Sequence, residues 1–256
     1  MTDKDMDVLD HLNELRKRII ICLVSVCFAT FLIYDKVGFL IDILMRPIAK
    51  FKLSLVYFSL TEGFATRIEV SMMAALVITS PIIIYEILAF LRVGLTKKER
   101  KLLYKSTFTI YFLFIIGTAF GYTMVLPYSL GFLISYGGSY LKPVLNGNSY
   151  FNFIGIFCIY IGFTFIIPYL LVVLGRLSLI SSKILRKKQI WVIVGVLTVE
   201  GFVLPAADLF TFFIVAAPVL IMYELSIWII FLTERKKRRK QNVPSNSRKG
   251  FKFGRK

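Results

Sequence analysis

The chain has 256 residues, is 57% hydrophobic with a mean hydropathy of +0.74, and carries a formal net charge of +17. A soluble globular fold of that composition would have far too apolar an exterior, which excludes one. The sequence has no nucleotide-binding loop, no zinc spacing and no nucleophile–base arrangement, so neither catalysis nor a metal or other cofactor is expected.

Hydrophobic runs are separated by basic patches. The first patch is Lys4 with Arg16, Lys17 and Arg18; the second runs from Arg92 to Lys105, the third from Arg176 to Lys188, and the last from Arg235 onward. Lys and Arg near span ends are retained on the cytoplasmic side. The alternation predicts an even number of spans with both termini inside, and makes the positive charge mostly a matter of topology. An α-helical span needs roughly 20 apolar residues. Six runs qualify, at about 19–36, 68–91, 106–127, 151–174, 190–204 and 209–232. The expected fold is all-α, a polytopic membrane protein with six transmembrane helices in a concave, cup-like bundle. Residues 1–234 form that membrane domain and 235–256 a basic, disordered cytoplasmic tail.

The first run follows Arg16-Lys17-Arg18 without a small-residue cleavage site, so it reads as a span rather than a cleaved signal peptide. Cys22, Cys27 and Cys158 lie inside spans and read as packing residues. The first outer loop, about 37–67, carries Arg46-Pro47 and an apolar run from Leu53 to Phe64 that suits short interfacial amphipathic helices. The second, about 128–150, holds Gly137-Gly138, Pro143 and Asn146-Gly147-Asn148, all turn formers. Span five, Ile190 to Leu204, covers only ~22 Å at 1.5 Å per residue, which predicts local bilayer thinning unless Trp191 and its polar neighbours snorkel. Pro81, Pro168 and Pro218 bend spans two, four and six, while Pro127 and Pro205 end spans three and five.

Ionisable groups at membrane depth are the strongest functional signal. Glu86, Glu200 and Glu224 lie within spans and Asp208 at the third outer turn, with no Lys, Arg or His at comparable depth. Without a basic partner they must be protonated, hydrated or held by hydroxyls and amides. The functional reading is a wet groove for a polar or cationic guest; the structural one is protonated Glu bonded between helices.

Two motifs in cytoplasmic segments then stand out. One is His11-Leu12-Asn13-Glu14-Leu15-Arg16-Lys17-Arg18; the other is Thr96-Lys97-Lys98-Glu99-Arg100, preceded by Pro81, Tyr85, Ala89 and Phe90. With Arg46-Pro47, Gly117-Thr118-Ala119-Phe120-Gly121-Tyr122, Pro127, Phe163, Phe165, Pro168, Leu185-Arg186-Lys187-Lys188, Pro205, Asp208, Pro218 and Tyr223-Glu224, they follow the order and spacing of one family. Over roughly residues 8–232 the chain resembles the TatC family, the multispanning receptor of twin-arginine protein translocation.

The resemblance implies a membrane receptor rather than an enzyme. It would bind the paired arginines of a signal peptide, assemble with single-span TatA/TatB-type partners, self-associate, and export folded proteins using the proton motive force. It implies a signal-peptide site at Glu14 and Glu99, with Leu15, Arg16, Phe90 and Arg100 around them. Translocation or partner contacts are assigned to Pro47, Asp208, Tyr223 and Glu224. The chemistry agrees, because a guanidinium presents a rigid fork of donors that a carboxylate accepts in two parallel bonds. Structural roles compete: Glu99 could close a capping box with Thr96, Glu14 could pair with Arg18 at i,i+4, and His11 could simply shape the first motif.

Departures from the family pattern are Ile166, where a Glu or Gln is common, Val93 for a Pro, and Gln189 for an Arg. Glu200 lies too far outward along its span to replace the missing polar group at Ile166. It reads instead as an independent contact for a partner's polar residue near the outer face. The basic run Arg235 to Lys240 reads as an anchor on anionic lipid, with specific nucleic-acid binding not expected. A YidC-like insertase, which would place a basic residue inside the bundle, and a proton-coupled transporter, which would show internal repeats, are the rival readings.

Overall fold

A computed structural model describes residues 3–51, 53–91, 97–136, 144–177, 180–203 and 209–241; side-chain surroundings are described for 11–51, 53–90, 101–135, 144–177, 180–201 and 212–236. Apolar runs cannot leave backbone amides unpaired in a bilayer, so they fold as helices. In chain order these are α1 (Asp3–Tyr34), α2 (Val37–Ala49), α3 (Glu62–Leu91), α4 (Lys97–Phe120), a π-helical turn (Gly121–Val125), α5 (Leu126–Tyr136), α6 (Gly147–Arg176), α7 (Ser182–Lys187), α8 (Gln189–Val203) and α9 (Leu209–Gln241). Strands β1 (Leu55–Val56) and β2 (Leu145–Asn146) pair in parallel. The chain is a multi-pass, all-α membrane protein.

Five helical segments are long and apolar enough to cross a bilayer: His11–Tyr34, Glu62–Phe90, Lys101–Ser135, Gly147–Arg176 and Phe212–Lys236. The sixth expected span, α8, is a shorter apolar helix, Gln189–Gly201. Helix α6 is the hub. Of its most apolar window 56% is buried against other helices, compared with 6% for α1, which lies at the periphery. Phe151, Ile154, Phe157 and Ile161 of α6 form the largest core cluster with Val125, Leu126, Val215 and Val219. Helices α4 and α6 cross at glycines: a Cβ on Gly117 would stand 2.9 Å from Phe165 Cβ and 3.0 Å from Gly162 Cα, so only hydrogen fits.

Two expectations need correction. Span three does not end at Pro127; the helix continues to Tyr136. The π turn immediately before Leu126 widens the backbone where Pro127 can neither donate nor tolerate a close carbonyl. In the loop between the first two spans the helix is Val37–Ala49, upstream of the run expected to form it, and Leu55–Val56 is a strand. The loops that follow α2 and α5 also hold each other: Glu62 Oε2 accepts from Phe58 N at 2.9 Å and from Asn146 Nδ2 at 2.8 Å. Asn146 in turn caps α6 by accepting from Ser149 N at 2.8 Å. A depression of about 290 Å³ between α2, α3, α4 and α6 is lined by Ile43, Leu44, Met73, Val77 and Ile159 and contains no carboxylate.

Pro81, Pro168 and Pro218 sit inside α3, α6 and α9 as expected. Pro81 leaves the Val77 carbonyl without its helical donor, and Ser80 Oγ supplies one at 2.7 Å. Pro47 does the same to Ile43, whose carbonyl accepts from Tyr122 Oη at 2.5 Å, while Tyr150 Oη donates to Leu44 O at 2.8 Å. The Arg46-Pro47 and Gly121-Tyr122 motifs are therefore one physical unit. Tyr122→Phe strips that donor from a half-buried carbonyl and is expected to cost about 1–2 kcal/mol. A lower thermal unfolding midpoint in detergent checks this; an unchanged midpoint would mean water replaces the hydroxyl.

Candidate functional site

Helices α1 and α3 run antiparallel, which brings the start of one beside the end of the other. His11 stacks on Phe90 with ring centroids 4.4 Å apart and planes 19° from parallel. Farther along α1, Arg18 turns toward α3, and its Nη1 donates to Glu86 Oε2 at 2.7 Å. Its Nε donates to Glu14 Oε1 at 3.1 Å, and Nη2 contacts the same oxygen. The expected i,i+4 pairing of Glu14 with Arg18 is thus present. Leu15 is half-buried and Arg16 exposed on the same helix. Tyr85 of α3 packs on Tyr104 of α4 at 5.6 Å, carrying the contact toward the next helix.

Glu86 was expected to lack a basic partner, and that expectation is overturned. Depth measured along a single helix hides a cation on its neighbour, and an arginine side chain reaches across easily. The clue was present in sequence as a basic run entering span one and an acid near the exit of span two. Glu99 and Arg100 fall in the first turn of α4, but their side chains, and Thr96 with its capping box, lie outside the described residues. The proposed meeting of Glu14 with Glu99 is therefore not visible.

A second polar cluster lies where α7 rests on α9. Tyr223, buried, donates from Oη to Leu185 O at 3.0 Å. Glu224 accepts from Gln189 Nε2 at 3.2 Å and stands 3.9 Å from Arg186 Nη2. It too has a basic neighbour, against expectation, and Gln189 serves as its amide donor. Glu234 receives both the backbone N–H (2.9 Å) and hydroxyl (2.7 Å) of Ser182, starting α7. Tyr223 and Glu224 thus brace the connection between α6 and α8.

Glu200 stands apart. It is fully buried on α8, and neither carboxylate oxygen has a hydrogen-bond partner among the described residues. Pro47 is buried in α2. Asp208 and Pro205 lie outside the described residues. Among the described residues no cluster of three or more His, Cys, Asp or Glu could hold a metal ion.

The comparisons with known proteins agree with one another. The family profile for the Sec-independent protein translocase protein TatC matches residues 10–218. A Sec-independent protein translocase protein TatC of Carboxydothermus hydrogenoformans is 31% identical over 229 residues, covering 90% of this chain and 94% of that one. The chloroplastic TATC of Pisum sativum is 33% identical, covering 91% of this chain and 66% of its own length. A crystal structure of the twin-arginine translocase receptor TatC superposes with a TM-score of 0.74 at 28% identity, covering 88% of this chain and all (100%) of that one. The fold, the motif positions and the relatives converge: this chain belongs to the TatC family of Sec-independent protein translocase proteins.

Proposed function

We propose that this chain is the signal-peptide receptor of a twin-arginine translocase, in which Glu14 and Glu99 take the two arginines. The supporting observation is that Glu14, partly exposed at the end of the α1–α3 pair, already accepts a guanidinium from Arg18. A group that binds one arginine inside the protein is chemically equipped to bind another from outside. Leu15, Arg16, Phe90 and Arg100 would border the site.

Both termini are assigned to the cytoplasmic side, with α8 as the sixth span. Gln189 at the start of α8 meets Glu224 of α9, and Val196 farther along α8 packs against the core cluster that includes Val215 and Val219, which supports an antiparallel course of α8 beside α9. Single-span TatA/TatB-type partners would contact Asp208 and the outer part of α8 that encloses Glu200 near the opposite face, with Pro47 holding α2, while Tyr223 and Glu224 hold α7 at the cytoplasmic end. The basic residues from Arg235 onward would anchor on anionic lipid. Energised export of folded precursors and self-association complete the reading, in a bacterial cytoplasmic membrane or an organellar energy-transducing one.

Site-specific photocrosslinking from positions flanking Glu14 and Glu99 to a twin-arginine precursor tests it. Crosslinks should vanish when the precursor's arginines become lysines. Equal crosslinks with both precursors would leave these carboxylates a helix-stabilising role only.

A further inference from the structure

Arg18 divides its guanidinium between two carboxylates on two helices, Nε and Nη2 toward Glu14 Oε1 and Nη1 to Glu86 Oε2. The three groups differ in exposure. The Arg18 and Glu86 side chains are 14% and 12% exposed, while Glu14 is 31% exposed and faces outward most. The site thus contains a copy of the very group that the proposed ligand presents.

We propose that Arg18 is an exchangeable resident guanidinium and Glu86 its holding carboxylate. An incoming signal-peptide arginine takes Glu14, and Arg18 shifts its donors wholly onto Glu86. The inference rests on Glu14 being a receptor carboxylate, and it gives Arg18 and Glu86 a role that neither motif predicts. Glu86 does not touch the ligand; it is a positioning residue that acts by drawing Arg18 away. Removing its charge leaves Arg18 with Glu14 alone, where it competes with the ligand. Removing Arg18 as well abolishes the competition and leaves no cation stranded between the helices.

The test measures affinity of a labelled twin-arginine signal peptide for the full chain in lipid nanodiscs, by fluorescence anisotropy. The chains compared are wild type, E86D, E86Q, R18Q/E86Q and E14Q, each confirmed helical and monodisperse. Expected is about a tenfold loss for E86Q, the worth of one charge-assisted hydrogen bond. E86D should stay near wild type, and R18Q/E86Q should return to within about threefold of wild type or bind more tightly. If the double variant remains as weak as E86Q, Glu86 contacts the ligand itself and the exchange is overturned. Unchanged affinity in E86Q overturns it too. E14Q separates the two levels: wild-type affinity there defeats the receptor reading, whereas loss in E14Q with none in E86Q defeats only the exchange.

Discussion

Glu14→Gln is expected to reduce export of a twin-arginine precursor by about tenfold or more while leaving the protein folded. The carboxylate supplies charge-assisted hydrogen bonds to guanidinium, and the isosteric amide offers one neutral acceptor in their place; that difference amounts to about 1.5–3 kcal/mol. Folding should survive because Arg18 keeps its 2.7 Å bond to Glu86, so no cation is stranded between α1 and α3. Export assayed in membranes, alongside the thermal unfolding midpoint in detergent, separates the two effects. Loss of both together would mean that Glu14 serves to hold the helices, with its recognition role unsupported.

Replacing Glu200 is expected to do the reverse, raising stability while lowering export. Its carboxyl is fully buried with neither oxygen hydrogen-bonded among the described residues, a cost of about 1–3 kcal/mol that the fold carries. Glu200→Leu keeps the volume and removes that cost, so the unfolding midpoint should rise by about 2–4 °C per kcal/mol recovered. Crosslinking to a single-span partner and export should both fall, because partner docking that parts α8 from its neighbours would present the Glu200 carboxylate to a polar residue of the partner, and leucine offers no acceptor there. A more stable variant with undiminished export and crosslinking would leave Glu200 without a function in transport.

Membership of the TatC family sets aside the insertase and transporter readings. It leaves the particular chemistry of this chain to be argued from its own side chains. Ile166, in the place where the family commonly carries a polar residue, is buried in an apolar cluster with Ile84, Phe114 and Val173. No polar contact is made from that position. Glu200 lies on a different helix and is sealed in its own surroundings, so the two positions do not substitute for one another.

What could be read from the sequence alone followed from rules that act locally along the chain. Long apolar runs must fold as helices in lipid, so the five long spans and short α8 were legible as runs, with ends displaced by up to eight residues, as at His11 and Ser135. The prolines inside α3, α6 and α9 and the pairing of Glu14 with Arg18 one turn away were legible for the same reason. Only the tertiary structure decided which groups meet across helices. Arg18 finds Glu86 because α1 and α3 lie antiparallel at one rotation about their axes. Tyr122 finds the carbonyl that Pro47 frees, and the helix passes through Pro127 on a π turn. Bilayer burial constrains how long a helix is and how deep each residue sits. It says little about the rotation and offset of one helix against the next, which depend on packing such as the Gly117–Gly162 crossing.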